Sequence, residues 1–213
     1  MINAYRINKL FWVFCIWVSV CVNLQALSPA EQLVEAARAR TQQSVIYDGA
    51  YQVLAYPMGD VAADRGVCTD LVIRAYRAGL GVDLQQHVHE DMTRFFDQYP
   101  KRWGLTKADS NIDHRRVPNL QTYFNRQGYS LAVSNSPQNY RAGDLVSWNL
   151  PGNLPHIGIV SNRRSRDAQR PLIIHNIGAG PEEEDALFMA NITGHYRFLP
   201  QAQRPADVQV ADE

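Results

Sequence analysis

The sequence predicts an α+β domain whose helices precede its strands. Between residues 29 and 128, apolar side chains recur at helical spacing, and the segments end at glycines. From Tyr129 onward, short apolar runs alternate with turn-forming residues, which is typical of strands. Strands and helices do not alternate along the chain, so segregated layers are expected rather than a doubly wound parallel sheet.

The first 26 residues have the features of a secretory signal peptide. Arg6 and Lys9 precede an apolar run from Leu10 to Val22, and Ala26 is a small residue at a suitable cleavage point. The run is shorter than the ~20 residues that a membrane helix needs. An exported, periplasmic or extracellular bacterial protein is therefore expected, with an uncleaved anchor as the alternative. Residues 27–200 are expected to form one domain, followed by a disordered polar tail over 201–213.

Charge composition excludes some classes of partner. The formal net charge is zero, with 21 basic and 21 acidic residues. This balance predicts no nucleic-acid partner, and no membrane partner once the signal is removed. The oligomeric state is left open.

Four helices are predicted before residue 128. The first begins with Ser28 as N-cap and Pro29 at the first helical position. Their expected bounds are Pro29 to Gln43, Cys68 to Ala78, His89 to Tyr99, and Pro118 to Gly128. The expected strands are Ser130–Val133, Asp144–Trp148, His156–Ser161, Leu172–Asn176 and His195–Phe198.

Cys68 is the only cysteine beyond the predicted signal, since Cys15 and Cys21 lie within it. A single cysteine in an oxidising compartment indicates a reactive thiol, an intermolecular disulfide, or a buried apolar residue. Cys68 is predicted in the first turn of a helix, where backbone N–H groups and the helix dipole lower a thiol pKa. Asp70 opposes that effect by its charge, or else caps the helix start.

A nucleophilic thiol needs a base, and His156 is the candidate. It opens an apolar strand on which Gly158 shares its face and leaves room for a neighbour. His175 ends the next apolar run and is the candidate orienter of the His156 ring. Strand alternation does not fix which way His175 points, so Asn176 remains the alternative orienter.

Several segments together resemble a known family. In chain order they are Tyr56-Pro57-Met58-Gly59, Gly66-Val67-Cys68-Thr69-Asp70-Leu71-Val72, Gly143-Asp144-Leu145-Val146, His156-Ile157-Gly158-Ile159-Val160 and Ile173-Ile174-His175. The series is similar to the NlpC-type cell-wall cysteine peptidases of the papain-like superfamily. It also resembles a secreted bacterial family of unknown function within that superfamily, over about Tyr56 to Phe198.

The resemblance implies a papain-like core in which a cysteine-bearing helix packs on an antiparallel β-sheet. It implies Cys68 as nucleophile, His156 as base and His175 as orienter, with Tyr56 lining the site. The family usually has Asp-Cys-Ser-Gly around the nucleophile, whereas this chain has Val67-Cys68-Thr69-Asp70. Thr69 and Asp70 are therefore expected to contact the substrate, and their departure from the family pattern leaves the identity of that substrate open.

Other side chains give weaker signals. Arg115 is a candidate for binding a substrate carboxylate through bidentate hydrogen bonds. His87 and His89 form a His-x-His pattern, with Glu90 next to it, but no third metal ligand is fixed by the pattern, so no metal and no cofactor is expected. Trp103 and Trp148 are expected in the core, with stacking on a substrate as the alternative.

These observations predict a cysteine hydrolase that cuts an amide or peptide bond through a thioester on Cys68. Its expected substrate is a cell-wall peptide, which follows from export and the family resemblance. Two alternatives remain: an acyltransferase that uses the same residues, and a non-catalytic wall-binding module.

Overall fold

The computed structural model describes residues 26–200 and has the predicted α+β class. Its helices are α1 (Pro29–Arg40), α2 (Cys68–Leu80), α3 (Leu84–Arg94) and α4 (Val117–Arg126). Short 3-10 turns occur at Phe96–Gln98, Asp113–Arg115 and Pro137–Asn139. The predicted signal peptide falls almost wholly, and the predicted tail wholly, outside the described residues. No helix within the described range is long and apolar enough to cross a membrane.

Eight strands form two sheets. They are β1 (Ile46–Tyr47), β2 (Arg65–Gly66), β3 (Ser130–Leu131), β4 (Leu145–Leu150), β5 (Leu154–Arg164), β6 (Pro171–Asn176), β7 (Pro181–Glu184) and β8 (Asn191–Tyr196). β1 and β2 form a short parallel pair. The other six form an antiparallel sheet in the order β3-β8-β4-β5-β6-β7.

Each face of the large sheet covers its own apolar core. Helices α1, α2 and α4 pack on one face, where Leu145, Ile157, Ile159 and Ile174 meet Val72 and other helix side chains. The opposite face carries a smaller core. Its members are Tyr140, Val146, Trp148, Val160, Ile173, Ala186 and Leu187. Strand alternation therefore decides which core each side chain of β5 enters.

The helix bounds differ from the predictions where capping residues were misread. Helix α3 begins at Leu84 rather than His89, because the Asp83 side chain accepts the Gln85 N–H and caps it there. Helix α2 continues through Gly79 and ends at Gly81, which has a φ of 67°. Gly79 lies against the backbone of α1, where a Cβ would come within 2.7 Å of the Gln32 oxygen. That glycine serves close helix packing rather than termination.

The two tryptophans have different environments. Trp148 is fully buried and its Nε1–H donates to the Leu187 oxygen over 2.9 Å, which confirms the core prediction. The same prediction is wrong for Trp103. Its side chain is exposed, and the Arg116 guanidinium lies 4.1 Å above its ring.

Candidate functional site

Cys68 is the first residue of α2, and the backbone just before it packs closely against the first turn of that helix. Gly66 has a φ of 148°, and a Cβ there would lie 2.9 Å from the Asp70 Cβ. The Val67 N–H donates to Asp70 Oδ2 over 2.7 Å, so Asp70 caps the helix that presents the thiol. This is the alternative role that the sequence left open for Asp70.

The structure corrects the substrate-binding role predicted for Thr69, Asp70 and Arg115. All three are buried, and they bond to one another. Arg115 Nε and Nη2 donate to the two Asp70 carboxylate oxygens over 2.8 and 3.1 Å, and the Thr69 hydroxyl donates to the Arg115 backbone oxygen. The remaining Arg115 nitrogen, Nη1, donates to the Ala50 oxygen. The hydrogen-bonding groups of these residues are thus engaged in holding the helix start against its neighbouring loops.

The Cys68 thiol is buried, and this determines its protonation. Its sulfur faces the backbone N–H groups of Ile157 and Thr69 and the hydroxyl of Tyr47, which all favour a thiolate. Burial outweighs these donors and, with a smaller effect from the charge of Asp70, raises the pKa of Cys68 to about 11. The predicted lowering of the pKa by the helix start is therefore wrong for this resting arrangement.

The aromatic residue at the thiol is Tyr47, not Tyr56. Tyr47 lies on β1, and its hydroxyl faces the Cys68 sulfur. Tyr56 instead packs edge-on against His89, and its hydroxyl lies 3.5 Å from Glu90 Oε1. The site-lining role of Tyr56 stays a prediction, since these contacts place it beside His89 rather than at the thiol. Tyr47 was missed because a two-residue strand leaves no periodic pattern.

His156 and His175 form a direct hydrogen bond. His156 Nε2 lies 2.7 Å from His175 Nδ1, so His175 is the partner of His156. The Asn176 side chain turns away and accepts the Gly178 N–H, which removes the alternative. Gly158 allows this contact, since a Cβ there would lie 3.0 Å from the His175 Cβ and 2.8 Å from Ile173 Cγ2.

A carboxylate extends the histidine pair. Glu184 Oε1 lies 2.8 Å from His175 Nε2, although the Glu184 side chain is 47% exposed. Trp148 packs beside both rings, with centroids 5.8 Å from His156 and 6.4 Å from His175. Sequence reasoning missed Glu184, because β7 reads as the polar run Pro181-Glu182-Glu183-Glu184.

Burial keeps both imidazoles neutral. It lowers the pKa of His156 to about 3, and a charge on His175 would lower it further. Burial also lowers the pKa of His175, although hydrogen bonding to Glu184 opposes the shift. At neutral pH each ring therefore carries one proton and one free electron pair.

Cys68 and His156 are neighbours without a direct hydrogen bond in the described part of the chain. Ile157 and Ile159 face α2 and the first core, which contains Cys68. The His156 side chain points to the opposite face of the sheet, because side chains alternate along β5. There it lies beside Trp148, its cross-strand partner on β4. The contact between the sulfur and the Ile157 N–H nevertheless places Cys68 one residue from His156 along β5.

The described residues contain no group of three or more His, Cys, Asp or Glu side chains arranged to hold a metal ion. His89, one of the weak candidates, instead bonds through Nδ1 to Asp113 Oδ2 over 3.0 Å. This contact fixes the His89 ring beside a fully buried carboxylate.

Comparison with known proteins identifies the family. The model of the family described as Domain of unknown function (DUF1287) matches residues 34–198. The chain belongs to this family. The DUF1287 match runs from within α1 to just beyond β8, so it includes Cys68, His156, His175 and Glu184.

The chain is also similar to the Uncharacterized protein YijF of Escherichia coli (strain K12). The two are 52% identical over 167 residues, which cover 78% of this chain and 80% of that protein.

Proposed function

We propose that this DUF1287 protein is an exported, papain-like thiol hydrolase that cleaves an amide or peptide bond in cell-wall peptides. The observation that carries the proposal is the hydrogen-bonded His156–His175 pair, which lies next to the backbone N–H that contacts the Cys68 sulfur. A nucleophile, a base and an orienter of that base are the parts that such chemistry needs.

The nitrogen that accepts the thiol proton is Nδ1 of His156, because Nε2 is bonded to His175. Proton transfer from Cys68 accompanies attack of the sulfur on the carbonyl carbon, which forms a C–S bond and a tetrahedral oxyanion. Collapse of this intermediate breaks the C–N bond, and His156 returns the proton to the leaving amine. Water, deprotonated by His156, then hydrolyses the thioester and releases the acid and the free thiol.

The resting site is neutral rather than an ion pair. The pKa of Cys68 is about 11 and that of His156 about 3, so the proton stays on sulfur until a substrate is present. Attack on the carbonyl carbon then places the sulfur electron pair in the C–S bond while His156 takes the proton, and the negative charge develops on the carbonyl oxygen. The mechanism further requires that the His156 ring, which lies on the face of β5 opposite the Cys68 sulfur, reaches the sulfur in the substrate complex.

The substrate class rests on the resemblance of the Cys68, His156 and His175 segments to cell-wall cysteine peptidases. The predicted signal peptide would deliver the protein to the compartment that contains wall peptides. No metal or cofactor takes part in the proposed steps.

The test is digestion of purified cell-wall peptides with the mature protein, followed by mass analysis of the fragments. We expect paired fragments with a new amine and a new acid from the wild type, and none from Cys68→Ala. Fragments joined to an added amine would indicate transfer rather than hydrolysis. Equal cleavage by Cys68→Ala would refute the proposed nucleophile.

A further inference from the structure

We propose that Glu184 is a positioning residue that fixes which nitrogen of His156 is free to accept a proton. The inference deepens the proposed function and rests on it for its catalytic consequence. Its structural consequence, the distribution of protons over two rings, can be measured without any substrate.

Glu184 is the exposed end of the hydrogen-bonded series Glu184–His175–His156. An ionised carboxylate accepts hydrogen bonds and cannot donate them. The 2.8 Å contact between Glu184 Oε1 and His175 Nε2 therefore requires the proton of His175 to be on Nε2. Because burial lowers the pKa of His175, the ring is neutral and its Nδ1 carries a free electron pair.

The His156 ring is constrained in the same way. Nδ1 of His175 is an acceptor, so the 2.7 Å contact with His156 requires the proton of His156 to be on Nε2. His156 is also neutral, with a pKa of about 3. Its Nδ1 is therefore unprotonated, as a base for the thiol must be.

A hydrogen-bond donor in place of Glu184 would reverse the direction of both hydrogen bonds in this series. It would give its hydrogen to His175 Nε2, move the His175 proton to Nδ1, and leave His156 with its proton on Nδ1. The base would then be blocked, although neither histidine had changed. The second carboxylate near His175, Glu182, makes no hydrogen bond to either ring in the described residues and acts on His175 only through its charge.

The experiment compares Glu184→Lys, Glu184→Gln and the charge-matched control Glu182→Lys. Nitrogen-15 NMR of the imidazoles at neutral pH reports the tautomers directly, and dispersed amide spectra verify folding. We expect His156 to carry its proton on Nε2 in the wild type, in Glu182→Lys, and in Glu184→Gln, whose amide oxygen still accepts. In Glu184→Lys the proton should be on Nδ1.

Turnover of a cleaved wall peptide is the second readout. We expect Glu184→Lys to lose about 10²–10⁴-fold in kcat, the usual contribution of a general base, while Glu182→Lys stays near wild type. An Nδ1 proton on His156 in the wild type would overturn the inference. So would unchanged tautomers in Glu184→Lys, or full activity despite inverted ones. If the tautomers follow the expectation but Cys68→Ala cleaves as well as wild type, the positioning role stands and the proposed function fails.

Discussion

At the scale of single residues, Cys68 shows how burial and hydrogen bonding compete. Two backbone N–H groups and the Tyr47 hydroxyl face the sulfur, yet burial dominates and the thiol pKa rises to about 11. Full burial removes the solvation that a thiolate needs, and a few donors do not replace it. The sequence places Cys68 at a helix start, but it does not show how deeply that start is buried.

This competition predicts the pH dependence of alkylation. The raised pKa means that the thiolate fraction of native Cys68 keeps increasing, about tenfold per pH unit, up to pH 10. In urea, where the thiol regains an ordinary pKa near 9.0, the iodoacetamide rate should level off above that pH. Mass spectrometry after timed quenching measures both rates. A native rate that is already constant at pH 7 would mean a preformed thiolate.

His175 is expected to act on catalysis only through His156. His175→Asn should keep more turnover than His175→Ala, because the Asn oxygen can still accept the His156 Nε2–H. His156→Ala should lose nearly all turnover, since no other group replaces the base. Steady-state kinetics on a cleaved peptide measure the order, and circular dichroism checks folding. Equal activity of the two His175 variants would contradict an orienting hydrogen bond.

The candidate site could be predicted from the sequence only in part. Cys68, His156 and His175 belong to recognisable segments, and the structure brings the two histidines together. Tyr47 was missed because its two-residue strand forms only by pairing with β2, and Glu184 was missed because β7 is a polar run without apolar alternation. Thr69, Asp70 and Arg115 were assigned to substrate because a sequence does not show that polar groups satisfy one another.

At the scale of elements, the junction of β5 and β6 positions the histidines. The backbone pairs between the two strands include Ile159–Ile174 and Val160–Ile173. The His156–His175 hydrogen bond lies next to these pairs, nearer the start of β5. Gly158 fits against β6 with no space for a methyl group. The sequence indicated a close approach at this glycine, but not that the approaching neighbour is the strand that carries His175.

Gly158→Ala should therefore disturb both the sheet and the site. Its new methyl group would meet Ile173 Cγ2 at 2.8 Å and the Ile174 oxygen at 3.1 Å, so overpacking should cost about 1–3 kcal/mol of unfolding free energy. Gly49→Ala is the matched control, because its methyl group would meet only Val67 Cγ1 at 3.5 Å. We expect a change within about 0.5 kcal/mol there. Urea unfolding measures both, and equal stabilities would contradict the packing argument.

At the scale of the whole molecule, helix and sheet layers divide the tasks. In the proposed mechanism the helix layer supplies the nucleophile Cys68, and His156 with its partner His175 lies on the other face of the sheet. Arg38 of α1 joins the layers, because its guanidinium donates to Glu183 of β7 and to the Ser161 hydroxyl. The relative placement of the proposed catalytic residues therefore depends on how α2 is held against β5.

The fold class and most elements could be predicted because their signals are local. Helical spacing and a Ser-Pro start predicted α1, and apolar runs predicted strands that correspond to β4, β5, β6 and β8. Strands β1 and β2 are two residues long and form only by pairing with each other, and β7 is a polar strand that pairs with the preceding strand β6. Local pattern contains no information about such partners.

The central claim is that Cys68 becomes an acyl carrier when His156 removes its proton. Acylation by p-nitrophenyl acetate tests this without knowledge of the natural substrate: stopped-flow release of nitrophenolate gives the rate, and peptide mass mapping locates the acetyl group. We expect a burst that deposits one acetyl group on Cys68 in the wild type, no burst in Cys68→Ala, and a rate lower by about 10²–10⁴-fold in His156→Ala. An unmodified Cys68 in the native wild type, or equal burst rates with and without His156, would contradict the account.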